Sequence, residues 1–184
     1  MTRTVFPILL LFLYGCAAEP LPPDNFAPAP VEDETELLTH NAALFVTDPG
    51  DAAALERNQL IDYAIEQKIL LTEHPRGFFY HIIERGGGER PAWGDRVEAH
   101  YQGEFLDGRP FDSSYQRGQP LSFLLGNMVP GWNFGLQEFP VGTRAILLLP
   151  SAMGYGERGF GQTIPPGTPL RFNVKMLSVK KQSE

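Results

Sequence analysis

The residue types that most often do covalent or proton-transfer chemistry are few in this chain and poorly grouped. The single cysteine, Cys16, excludes an internal disulfide and a Cys-rich zinc site. The four histidines, His40, His74, His81 and His100, show no metal-ligand spacing. Ser113 and Ser114 lack the glycine context of a nucleophile elbow, and Asp112 has no evident carboxylate partner. Gly86-Gly87-Gly88-Glu89 lacks the Lys and Ser/Thr of a phosphate loop and reads as a turn. What stands out instead is apolar and aromatic residues in Gly/Pro-rich turns: Trp132 just after Pro130-Gly131, and Tyr155 between two glycines. Core residues usually sit within elements, so apolar residues at loop edges point to a pocket that binds rather than one that attacks. No metal and no cofactor is expected.

The elements that must hold such a pocket are legible in the periodicity. Phe78–Ile83 is strand-like, and Val97, Ala99 and Tyr101 alternate with polar residues. Leu121 and Phe123 alternate about Ser122, and Thr143–Leu149 is a nearly continuous apolar strand. Leu170, Phe172, Val174 and Met176 alternate with Arg171, Asn173 and Lys175. Asp107-Gly108 marks a hairpin turn, and Trp132–Phe139 has room for two helical turns. This is an α+β plan: an antiparallel sheet with one face covered by a short helix. Upstream, Asp48-Pro49 reads as a cap followed by proline at the first helical position. Ala54, Asn58, Ile61, Ile65 and Ile69 then follow helical spacing, so a helix over about 49–70 is expected. Its apolar face needs cover, either the following domain or a second copy. A shorter helix is expected within 32–46.

The chain has 184 residues, 42% of them hydrophobic, enough for one domain with extra segments. The formal net charge of −7 argues against nucleic acid, which requires clustered Lys and Arg. Residues 17–38 hold five prolines and six acids but no Lys or Arg, a composition with too little apolar surface to order itself, so a disordered tether is expected. Ahead of them, Arg3 precedes an apolar run, Val5–Tyr14, with the length of a signal-peptide core. Leu13-Tyr14-Gly15-Cys16 resembles a bacterial lipoprotein signal, although Tyr14 stands where a small residue is commoner. The resemblance implies lipidation at Cys16, and Ala17 after it leans toward the outer membrane. The competing reading is an ordinary secretory signal with a chance cysteine. The expected organisation is a signal at 1–15, a Pro/acid-rich tether at 16–47, a helix at 48–72 and the compact domain at 76–180.

Across that domain the chain resembles the FKBP-type peptidyl-prolyl isomerases. The matching stretches, in family order, are Ala99–Gly103, Phe111–Ser114, Leu125-Gly126, Val129–Trp132, Val141-Gly142, Gly154–Gly156, Ile164–Pro166 and Leu170–Phe172. The resemblance implies a half-wrapped antiparallel sheet around one short helix, with a shallow pocket that binds proline. It places Trp132 beneath the proline ring and Tyr101, Phe111, Val129 and Phe172 as walls. Tyr155 would offer its hydroxyl to a substrate carbonyl, and the Val129 N–H would be a second donor. Asp112 would supply a polar edge, unless it merely closes an Asx turn, and Ile164 would contribute from the next loop. Arg117 either pairs with Asp112 or is a solvated loop charge, the second being favoured. Leu121 departs from the aromatic that many members carry, and Phe160 and Thr163 fall in a variable rim. Pro150–Pro166 is too short for an inserted chaperone domain. The implied partners are proline-containing polypeptides and, through Cys16, a membrane. The alternatives are a binding module with little turnover or a general chaperone.

Overall fold

The computed structural model describes residues 26–28 and 33–182, so the expectations for the signal at 1–15 and for Cys16 lie outside the described residues. Helices α1 (Glu34–Ala42) and α2 (Ala52–Glu66) come first. Strands β1 (Thr72–His74), β2 (Phe78–Glu84), β3 (Arg96–Phe105), β4 (Pro110–Ser113) and β5 (Leu121–Leu124) follow. After helix α3 (Pro130–Gly135) come β6 (Arg144–Leu149) and β7 (Leu170–Lys180). Every pairing is antiparallel, in the order β1-β2-β6-β7-β3-β4, with β5 sharing the β3 edge with β4.

The period-two pattern now has a physical account. On β6, Ala145, Leu147 and Leu149 face a core with Phe78, Tyr101, Phe172, Trp132 and Leu136, while Ile146 and Leu148 face the other side. A strand buried on both faces reads as a continuous apolar run, which is why Thr143–Leu149 showed no alternation. The second face is covered by α2, whose Leu60, Ile61 and Ala64 pack with Phe79, Ile146 and Leu148. The sheet is therefore covered on both sides, and α2 finds its partner within its own chain.

Helix α2 is shorter than expected at both ends. Its cap is Asp51, not Asp48: the Asp51 carboxylate accepts the Ala54 N–H at 2.8 Å. Gly50 after Pro49 is a poor first-turn residue, whereas Asp51 is followed by three alanines with high helix propensity. At the other end Lys68 takes a left-handed φ of 56°. The Lys68 N–H then bonds the Ile65 carbonyl (3.1 Å) and the Ile69 N–H bonds the Ala64 carbonyl (2.8 Å), a Schellman closure that puts Ile69 in the core beyond the helix.

Helix α1 lies where a short helix was expected, inside the stretch also read as tether. Asp33 caps it, accepting the N–H groups of Thr35 and Glu36. Buried Asn41 donates to the Ile69 carbonyl (2.8 Å) and accepts the Leu71 N–H (3.1 Å). The expectation of a disordered tether is thus corrected from Asp33 onward, where a capped helix forms and buries Leu37 and Asn41. Farther upstream, Phe26 is 7% exposed, edge-on to the Tyr115 ring and under the Arg144 guanidinium.

Helix α3 has six residues, too few to hold itself together in water. Pro130 at its start fixes φ, and close packing does the rest. A Cβ on Gly131 would sit 2.4 Å from a Leu149 methyl, so glycine lets α3 settle this deeply on β6 without displacing the Leu149 side chain. The burial of Trp132 follows from that approach.

Candidate active site

Tyr101, Phe111, Asp112, Met128, Val129, Trp132, Tyr155 and Phe172 line one shallow depression. Trp132, 1% exposed, is its floor. The rings of Tyr101 and Phe172 stand edge-on to the indole at 5.0 and 5.5 Å, the favoured contact of positive ring edge with negative ring face. Phe111 meets Phe172 edge-on at 5.6 Å. The buried indole N–H has no acceptor among the described residues.

Each wall is held by a local device. Phe111 and Phe172 meet across β3 at Gly103, where a Cβ would lie 2.5 Å from the Phe111 ring. Glycine in Tyr101-Gln102-Gly103 is thus what admits the Phe111 ring. Ser114 Oγ accepts the Tyr101 N–H at 2.8 Å and donates to the Tyr101 carbonyl at 3.1 Å, locking the loop after β4 to β3. Asn133 on α3 accepts the N–H groups of Gly126 (2.8 Å) and Met128 (3.1 Å) and donates to the Met128 carbonyl. That clamp presents Met128 and Val129 to the pocket. The Val129 N–H donates to no group among the described residues, while its carbonyl accepts from Trp132 and Asn133.

The polar edge is a three-membered network. The Tyr101 hydroxyl donates to Asp112, and Arg117 donates to the other Asp112 oxygen and, at 2.9 Å, to the Tyr101 oxygen. This corrects the expectation of a solvated Arg117. The bend after β4 brings the guanidinium back over the Tyr101 ring, 5.4 Å from its centroid, where carboxylate, phenol and ring face all favour a cation. Burial, and then the bond to Asp112, push the Tyr101 hydroxyl up to about 12. The Tyr155 hydroxyl is also raised, by burial first and the Asp112 charge second. Both phenols are therefore protonated donors at neutral pH. Tyr101 spends its proton on Asp112, and the Tyr155 hydroxyl makes no hydrogen bond among the described residues.

The structure thus brings together Tyr155, Asp112, Trp132, Tyr101, Phe111, Val129 and Phe172. It does not bring Ile164 to the lining. Ile164 is 1% exposed in the core, where it pairs its backbone with Phe160 at the base of the loop. Met128 was missed, and only its place beside Val129 in a turn hinted at it. Asn133 was missed because a polar helical residue carries no sign that it ties down the preceding loop.

The Arg117–Asp112 pair is half-exposed, which makes it separable from stability. Arg117→Ala should lower stability by less than about 1 kcal/mol, as for exposed pairs. It should still reduce turnover, because the carboxylate and Tyr101 lose their orienting partner. Thermal unfolding beside a peptide isomerisation assay would check both halves.

A depression of aromatic rings over a short helix, with two donors uncommitted among the described residues, suits an apolar group that also offers a hydrogen-bond acceptor. The profile of the FKBP-type peptidyl-prolyl cis-trans isomerases matches residues 87–177. The FKBP-type 22 kDa peptidyl-prolyl cis-trans isomerase of Escherichia coli K12 is 36% identical over 151 residues, 77% of this chain and 72% of that one. The isomerase FkpA of the same strain is 42% identical over 147 residues, 80% of this chain and 53% of its own length. A crystal structure of a peptidyl-prolyl cis-trans isomerase from Pseudomonas syringae superposes with a TM-score of 0.63 at 31% identity, covering 74% of this chain and 98% of that one. The chain belongs to the FKBP-type family and is a peptidyl-prolyl cis-trans isomerase.

Proposed function

We propose that this isomerase accelerates rotation about X–Pro bonds in exported polypeptides, with Trp132 beneath the proline ring and Tyr101, Phe111, Val129 and Phe172 around it. The observation that carries this reading is the ring-lined depression floored by Trp132, with the Tyr155 hydroxyl and the Val129 N–H both uncommitted at its rim.

The chemistry needs no covalent step. Amide resonance sets a barrier of roughly 18–20 kcal/mol to C–N rotation. The uncatalysed X–Pro exchange takes tens to hundreds of seconds, slow enough to limit folding. The planar amide is strongly dipolar and well hydrated, and the twisted one is less so. A water-poor aromatic pocket therefore favours the twisted form relative to the planar ground state. Donors already aimed at the substrate carbonyl hold it while the bond turns. In this proposal Tyr155 and the Val129 N–H are those donors. Asp112, neutralised by Arg117 and Tyr101, offers a polar edge without an unpaired charge. Ile164 supports the rim from beneath. Tyr155→Phe removes one hydrogen bond, worth about 1 kcal/mol, so kcat/KM should fall about fivefold with the fold intact. An unchanged kcat/KM would remove Tyr155 from the mechanism.

The proposal extends to the envelope. Residues 1–15 are a cleaved leader, Cys16 carries the lipid, and the Pro/acid-rich residues between it and Phe26 space the folded body from the membrane. Ala17 favours the outer membrane, facing the periplasm. Metabolic labelling with a radioactive fatty acid tests this: label on the wild type and none on Cys16→Ser supports it. An unlabelled, freely released wild type points to an ordinary secretory signal.

A further inference from the structure

Tyr155 packs on the Phe160 ring and against the core, but the segment that carries it has few hydrogen bonds of its own. From the end of β6 at Leu149 to the Phe160 bridge the chain runs through two short 3-10 turns, Ser151–Met153 and Gly156–Arg158. Tyr155 lies between them, flanked by Gly154 and Gly156, the latter at φ 59°. Glycines on both sides give the backbone more freedom than any other residue would. Within residues 150–155 the only internal ties are the Met153 and Gly154 N–H groups bonding the Pro150 and Ser151 carbonyls.

Among the described residues, one side chain reaches this stretch from outside with hydrogen bonds, and it comes from α2. The Glu56 carboxylate accepts the Ser151 N–H at 2.6 Å and the Ser151 hydroxyl at 2.7 Å, one on each oxygen. Ser151 is 5% exposed, so both donors are nearly shut off from water. Two bonds to a charged acceptor on one residue fix its orientation as well as its position. Glu56 lies outside residues 87–177, the part that matches the family profile.

We infer that Glu56 is a positioning residue for isomerisation, an element of the N-terminal helix that holds the Tyr155 segment in register with the pocket. Glu56 does not touch the depression itself. It acts by anchoring the first 3-10 turn four residues before Tyr155. The inference rests on Tyr155 being a working donor, as proposed above. It makes α2 a part of the active site's support as well as a cover for the sheet.

The test uses the full chain and four variants: Glu56→Ala, Glu56→Gln, Tyr155→Phe and the double variant E56A/Y155F. Glu56→Ala should speed exchange of the Ser151 amide and lower kcat/KM about threefold, by letting a donor wander. Glu56→Gln should restore both, because its carbonyl accepts the Ser151 N–H while its amide donates to the Ser151 oxygen. If Glu56 acts through Tyr155, adding Glu56→Ala to Tyr155→Phe should cost little more than Tyr155→Phe alone. A Glu56→Ala enzyme with wild-type kcat/KM overturns the inference, as does the same fold loss in both backgrounds. Should Glu56→Ala fail to fold, Ser151→Ala, which removes only the hydroxyl arm, is read the same way. Tyr155→Phe separates the two layers. If it matches the wild type, the role of Tyr155 falls and the inference with it; if it is impaired while Glu56→Ala is not, the inference alone falls.

Discussion

Trp132→Ala should abolish nearly all isomerase activity. The indole is the floor of the depression and touches three other rings, those of Tyr101, Phe123 and Phe172. A proline ring lying on it shares on the order of 100 Å² of apolar contact, about 2.5 kcal/mol at the usual coefficient. If most of that is realised in the twisted state, kcat/KM falls close to a hundredfold. The same change leaves a cavity in the core and should cost about 3–5 kcal/mol of stability. The two effects separate if activity is measured well below the unfolding midpoint. Trp132→Phe, which keeps a ring beneath the substrate, should fall between wild type and alanine in rate. A folded Trp132→Ala enzyme with near-normal turnover would mean that proline binds elsewhere.

Leu60→Ala should do the reverse, removing stability and sparing chemistry. Leu60 is fully buried between α2 and the face of the sheet that carries Phe79, Ile146 and Leu148. Truncating a buried leucine costs about 2–5 kcal/mol. Against a typical total of about 5–15 kcal/mol, such a loss is large. It should appear as a drop in thermal midpoint of many degrees. At low temperature, where α2 stays docked and Glu56 keeps its hold on Ser151, turnover should stay near that of the wild type, because the pocket lies on the opposite face. A Leu60→Ala chain of unaltered stability would show that α2 only rests on the sheet. The polar ties between α2 and the body point the same way. Arg171 on β7 donates to the Tyr63 hydroxyl at 2.8 Å, and Arg57 forms a two-bonded pair with Glu73 on β1.

These two expectations show what the sequence carried and what it did not. The strands were legible because Val97-Ala99-Tyr101 and Leu170-Phe172-Val174 bury alternate residues against one core. The pocket was legible because Trp132 and Tyr155 sit beside glycines, in turns where a core role is hard to satisfy. The pairing of Arg117 with Asp112 was not, since no periodicity links a bend residue to a carboxylate five positions back. Asp48 looked like a cap because proline followed it, and only the glycine after that proline argued against it. The Glu56–Ser151 contact spans 95 residues and has no local signature at all. Ile164 was assigned to the pocket by its motif, yet its side chain turns into the core beneath the loop. Local rules reveal which residues are unusual; tertiary packing decides which of them meet.

The most direct test of the central claim is the cis-to-trans rate of an X–Pro test peptide in the presence of the purified chain, with Trp132→Ala alongside. The wild type should accelerate exchange clearly, in proportion to enzyme concentration, and the folded variant should lose nearly all of that acceleration. A folded wild-type chain that leaves the uncatalysed rate unchanged would make the pocket a binding site without turnover.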